Sequence, residues 1–102
     1  MKILATPQLA DFVRERGGAL FVWVDRLVTS PDVGYLETST ESPGAEREFV
    51  RFSSEGFELL FDGGAAGLPE ELHLVLKGRR TKRVRAYWNG NSFLRASPST
   101  GS

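Results

Sequence analysis

Between Leu72 and Trp88 the chain alternates. Leu72, Leu74 and Leu76 are interleaved with His73, Val75 and Lys77, and Val84, Ala86 and Trp88 with Arg83, Arg85 and Tyr87. A period of two marks a strand with one buried face. A five-residue loop, Gly78 to Lys82, places both apolar sets on one face, with Leu76 opposite Val84 and Leu74 opposite Ala86. A four-residue loop would set Leu76 against Arg83 and bury charge, so the longer loop is expected. Asn89-Gly90 then predicts a type I′ turn, whose two central residues need positive φ. A third strand should return from it with Phe93 opposite Ala86 and Leu94 on the other face. The rest of the chain is expected to pack against this stretch, which runs to Ala96.

Upstream the period changes. Leu9, Phe12 and Val13 recur at helical spacing. Thr6 supplies an N-cap and Pro7 a first helical residue whose missing N–H costs nothing. Arg14 and Arg16 suit the last turn, and Gly17-Gly18 the stop. So short a helix does not stand alone in water, and its apolar stripe must dock. Ala19 to Val24, ALFVWV, is apolar on both faces and predicts a central strand. Ser30-Pro31-Asp32 is turn chemistry, Val33 to Thr40 a more polar strand suited to an edge, and Ser42-Pro43-Gly44 another turn.

Arg47 to Asp62 predicts a hairpin. With Ser53 to Gly56 as a four-residue loop, Phe52 faces Phe57 and Val50 faces Leu59. Arg51 then opposes Glu58 and Arg47 opposes Asp62, so these charges are cross-strand pairs and carry no function. The Gly/Ala-rich run Asp62 to Pro69 lacks the Lys-Ser/Thr of a phosphate loop and reads as a turn between sheet segments. Pro69-Glu70-Glu71 is expected to form one helical turn. Together these elements give one α+β, β-rich domain over residues 1–96. A short N-terminal helix packs on a mostly antiparallel sheet or flattened sandwich of about six or seven strands. Residues 97–102 are expected to be a disordered tail.

Composition narrows the chemistry. The chain of 102 residues has no Cys, which excludes disulfides, thiolate catalysis and any cluster or zinc site on its own thiolates. No run is long and apolar enough to span a membrane. The N-terminus turns polar too early for a secretory signal peptide. A cysteine-free domain with no membrane partner suggests the cytoplasm.

The zero net charge hides a division. Residues 1–71 hold six Lys/Arg and all 13 Asp/Glu, a net of −7, and residues 72–102 hold seven Lys/Arg and no acid, a net of +7. Either the two halves neutralise each other in the fold, or the second forms a basic patch that meets an anionic partner. Six of the nine positions from 77 to 85 are cationic: Lys77, Arg79, Arg80, Lys82, Arg83 and Arg85. Beside Tyr87 they are candidates for holding phosphates and stacking a base. A solvated hairpin end accounts for the same residues without a ligand, and ranks ahead of that reading.

His73 is the only His. With no Cys and no second His, metal binding would need acidic partners, and no ligand spacing supports it. A strand residue paired with Tyr87 accounts for His73 better than a catalytic base does. Asp25, Asp32, Glu37 and Glu41 match no calcium loop. Trp23 and Trp88 are read as core. No catalytic residue, metal site or cofactor is assigned.

The order of elements resembles the A-type iron–sulfur carrier family, the HesB-like domains. Thr6 to Gly18, TPQLADFVRERGG, looks like that family's opening helix. Gly56 to Asp62, GFELLFD, stands in the place of its GxxLLxD-like segment. Asn89-Gly90-Asn91-Ser92-Phe93 stands where the family has Cys-Gly-x-Ser-Phe. The cluster-binding cysteines have no counterpart, and Asn89 would replace one of them. The resemblance therefore implies a compact β-rich fold and a cysteine-less relative that cannot carry a cluster in the family's way.

Three functions follow as expectations. The first is a small non-catalytic binding or adaptor domain, with a protein partner or a second copy of itself. The second is nucleic-acid or other polyanion binding through the basic hairpin. The third is an enzyme using His73, which requires a pocket around that residue.

Overall fold

A computed structural model describes residues 1–26, 33–44, 47–54, 56–90 and 94–95. Over these the chain forms β1 (Lys2–Ala5), α1 (Pro7–Glu15), β2 (Ala19–Arg26), β3 (Val33–Ser39), β4 (Val50–Ser54), β5 (Phe57–Asp62), β6 (Glu71–Lys77), β7 (Arg83–Trp88) and β8 (Leu94–Arg95). A 3-10 turn, Gly64–Ala66, lies between β5 and β6. The strands make two mixed sheets, one of three strands in the order β1-β6-β7 and one of five in the order β4-β5-β2-β3-β8. The architecture is the expected α+β, β-rich one, with a single short helix.

The helix is bounded by the residues that its sequence offers. Thr6 Oγ1 accepts a hydrogen bond from the Leu9 N–H at 3.2 Å, and Pro7 is the first helical residue. At the other end the Gly18 N–H donates to the Val13 carbonyl at 2.9 Å and the Gly17 N–H to the Arg14 carbonyl at 3.3 Å. This is the Schellman arrangement. It needs left-handed backbone, which Gly17 and Gly18 supply at φ 111° and 84°. The buried stripe Leu9, Ala10 and Val13 then joins Leu20 and Val22 of β2, Phe57, Leu59 and Phe61 of β5, and Leu72 and Leu74 of β6. Both sheets thus feed one core. Ala19 to Val24 lies within β2, the middle strand of its sheet, as its two apolar faces require.

The β6–β7 register is the one that the alternation predicts: Leu76 pairs with Val84, Leu74 with Ala86 and His73 with Tyr87. Asn89 and Gly90 both have positive φ, 49° and 86°, as a type I′ turn demands. The strand beyond the turn differs from expectation. Leu94 pairs with Gly34 of β3, not with β7. Turn chemistry sets the reversal but does not choose the next partner. Phe93, the segment Ser30-Pro31-Asp32 and the tail 97–102 lie outside the described residues.

Three other expectations are corrected. First, the β4–β5 loop is two residues long, not four: Ser54 pairs with Phe57 and Val50 with Phe61. A slip of two residues keeps every side chain on its face, so the apolar pattern cannot tell the registers apart. Arg51 still reaches Glu58, now diagonally, at 3.5 Å. Second, Arg47 does not oppose Asp62. Its guanidinium carbon lies 5.2 Å from the centre of the Trp23 ring, and Asp62 Oδ1 accepts from the Gly64 N–H at 3.0 Å. Third, Pro69 to Glu71 forms no helical turn. The lead-in Met1 to Ala5 supplies a parallel strand, β1, beside β6. Its Lys2 N–H takes the Glu70 carbonyl at 2.8 Å, holding that segment extended.

Candidate functional site

On β6 and β7 the core takes Leu72, Leu74 and Val84, so the alternate residues face outward. His73 stands opposite Tyr87, Val75 opposite Arg85 and Lys77 opposite Arg83. Leu4 of β1 pairs with His73 and extends this outer face by one strand. Lys77, Arg83 and Arg85 are exposed, and His73, Val75 and Tyr87 are half-buried. The loop from Gly78 to Lys82 is exposed throughout. It turns tightly: a Cβ on Gly78, at φ 104°, would sit 2.1 Å from the Thr81 carbonyl oxygen. Gly78 thus lets the loop close and hold Arg79, Arg80 and Lys82 at its tip.

All seven residues singled out from the sequence therefore share one outer face and its adjoining tip. Among the described residues the ion pairs are Arg14 with Asp11, Arg51 with Glu58 and His73 with Glu71. None of the six tip cations is in one. Of the acids of the first half, Glu71 stands on this face beside His73, and four others lie on the second sheet. Asp25, Glu37, Glu58 and Asp62 alternate with the core residues of β2, β3 and β5, on the outer face of the five-stranded sheet. The charge division of the sequence thus becomes a division between two faces.

His73 Nε2 lies 3.1 Å from Glu71 Oε1 and is 35 % exposed at its side chain. It sits on the outer sheet face between Leu4 of β1 and Tyr87 of β7. Among the described residues no three His or acidic side chains are placed to hold a metal ion. The Gly/Ala-rich run closes on itself. A Cβ on Gly63 would meet the Gly67 carbonyl oxygen at 1.7 Å, so the close approach within the run requires glycine there.

Two features were not legible from local pattern. Arg16, at the end of α1, comes to the same end of the molecule as Lys82, and the two line common cavities. Sequence spacing gives no sign of this, because 65 intervening positions separate them. The second is the outer edge of β7, which pairs with no further strand among the described residues. The Asn89 N–H donates to the Glu71 carbonyl at 2.8 Å, so the backbone groups of Tyr87, Arg85 and Arg83 also point at β6. Those of Val84 and Ala86 point away. Thr38 Oγ1 of β3 donates to the Val84 carbonyl at 2.9 Å and ties the two sheets together there. A cavity of about 540 Å³ opens beside this bond, with Tyr35 and Glu37 on one wall and Arg83, Arg85 and Tyr87 on the other.

Comparison with protein-family models, with curated proteins and with solved structures finds no match to this chain.

Proposed function

We propose that this chain is a non-catalytic binding module for a polyanion, of the class of single-stranded nucleic acid, received on the outer face of β6 and β7 and on the adjoining tip. One observation carries the reading. Six exposed cations are gathered by strand pairing, and among the described residues none meets an acid. From sequence alone a protein partner ranks first, because no catalytic constellation accompanies a coherent fold and the opposite charges of the two halves could pair between subunits as well as within one. Phosphates laid along Lys77, Arg83 and Arg85 would release counterions. Tyr87, half-buried beside His73, offers an aromatic surface to a base. The likeness to the A-type carriers adds no chemistry here, since the chain has no Cys to hold a cluster.

The test is an amide-resolved NMR titration with short single-stranded RNA and DNA, at low and then physiological salt. Shifts confined to Lys77–Tyr87 that weaken as salt rises support the reading. An absence of shifts at low salt overturns it.

A protein partner, a second copy of this chain included, is the second reading. The outer edge of β7, unpaired among the described residues, favours it, because the Ala86 N–H and carbonyl point into the cleft beside Thr38. It predicts concentration-dependent sedimentation that Ala86→Pro suppresses. That change removes an outward N–H and leaves the ladder to β6 its own donors. Sedimentation independent of concentration removes self-pairing along β7.

A further inference from the structure

The end of α1, the end of β3 and the start of β7 enclose a cavity of about 290 Å³. Arg16, Lys82 and Arg83 stand on its walls, and no acid does. Among the described residues none of these cations is in an ion pair. Thr38, Ser39 and Thr40 supply hydroxyls, and the buried side chains of Leu20 and Val84 close the cavity on the core side.

The polar groups around it are held by the chain's own contacts. Arg16 is held in place: its guanidinium carbon lies 3.7 Å from the centre of the Phe12 ring, and its Nη1 donates to the Phe12 carbonyl at 3.5 Å. The ring takes one face of the guanidinium and leaves its other edges to a ligand. Ser39 Oγ accepts the Glu41 N–H at 2.9 Å, which fixes the turn that leaves β3. Thr38 spends its proton on the Val84 carbonyl and is thereby fixed in orientation. Asp11 and Glu15 line a neighbouring cavity with Arg80, and Arg16 and Lys82 stand between the two cavities. Asp11 is already taken by Arg14.

We infer that this cavity is a binding site for a phosphate monoester. Three cationic side chains beside an apolar floor suit a compact dianion, because hydrogen bonds between ionised partners are the stronger ones. The ligand is either a free phosphorylated small molecule or the terminal phosphate of a strand. The site stands on its own residues, and only the strand-end source rests on the nucleic-acid reading above.

The experiment is an amide-resolved titration of the full chain with inorganic phosphate, at ionic strength held constant with chloride. Saturable shifts at Arg16, Thr38–Thr40 and Lys82–Val84 are expected. Arg16→Gln and Arg83→Gln should each weaken phosphate roughly tenfold, the loss of one charge-assisted partner. Arg51→Gln, the same charge change on the far sheet, should leave it unaltered. Shifts that do not saturate, or that survive both pocket variants, overturn the site, whether or not oligonucleotides bind elsewhere. Oligonucleotides with a 5′-phosphate and a 5′-hydroxyl identify the source. A tighter phosphorylated strand assigns the pocket to a strand end. Equal affinities beside saturable phosphate binding assign it to a small phosphorylated molecule.

Discussion

The two sheets turn differently furnished outer faces to the outside. On the five-stranded sheet, Phe21 and Trp23 of β2 are covered by Phe49, whose ring meets theirs edge-on at 5.3 and 6.5 Å. Arg47 lies over Trp23, which is left only 9 % exposed. The acids Glu37 and Asp62 flank that patch. On the three-stranded sheet, the corresponding face has His73, Val75 and Tyr87 half-buried among exposed cations. One face is closed by its own chain, and its aromatics serve stability. The other is basic, and under the proposed function its aromatic meets a ligand. Aromatic residues on strands thus divide by what lies above them, which composition alone does not reveal.

The largest expected effect tests the closed face. Trp23→Ala should destabilise the fold by about 3–5 kcal/mol, the usual loss for a buried aromatic. Tyr87→Ala should cost less than about 1 kcal/mol, as at a partly exposed site away from the core. Urea unfolding midpoints measure both, and equal losses would erase the distinction between the faces. Trp23→Phe should cost much less than Trp23→Ala. It keeps a ring under Phe49 and discards an indole N–H that is buried with no hydrogen-bond partner among the described residues.

The next effect tests the basic face. If Tyr87 stacks a base, Tyr87→Ala should lose about 1–3 kcal/mol of affinity for a single strand. Arg85→Gln should instead flatten the salt dependence, reducing the slope of log K against log salt by about 0.7 for one lost phosphate contact. An unchanged slope would remove Arg85 from the ligand's path. A smaller effect sets stability against binding at one site. Lys77 opposes Arg83, a like-charged cross-strand pair. Lys77→Glu should stabilise the hairpin by about 0.2–1 kcal/mol while weakening the polyanion. A stabilised variant that bound as tightly as the parent would show that this pair holds no phosphate.

The two hairpins show how much of this was legible beforehand. In β6–β7 the alternative loop would have buried Arg83, so burial of charge selected one register, and that register is observed. In β4–β5 the competing registers differed by two residues and put the same side chains on the same face. Nothing in the pattern could choose between them, and the shorter loop, with Gly56 at φ 81°, carries the pairing two residues further along β4, to Ser54. The helix was legible because its caps are local: Thr6, Pro7, Gly17 and Gly18 act within a few residues. β1 was not legible as a strand, because its partner lies about 70 positions away and parallel pairing leaves no turn signature. The candidate site divides in the same way. Its seven residues are read from one hairpin, whereas Arg16 reaches it only through the packing of α1.

The smallest effect expected is electrostatic and belongs to the closed face. Tyr35 pairs directly with Asp25, two positions from Glu37. Desolvation, and then the negative charges of Asp25 and Glu37, raise its phenol above the ordinary 10.0. Both causes disfavour the phenolate, so the folded chain holds this proton to higher pH than the unfolded chain. The contribution to stability is therefore fully present below the unfolded-state value and is lost as pH rises through the folded one. An ultraviolet difference titration of the parent against Tyr35→Phe isolates the group. Its midpoint should lie above that of a free tyrosine and move down in Glu37→Gln, because that substitution removes one of the two charges. A midpoint at the free value, unmoved by Glu37→Gln, would show that the acids of this face do not act on Tyr35. The five-stranded sheet would then differ from its neighbour in packing alone, and not in the sign of its field.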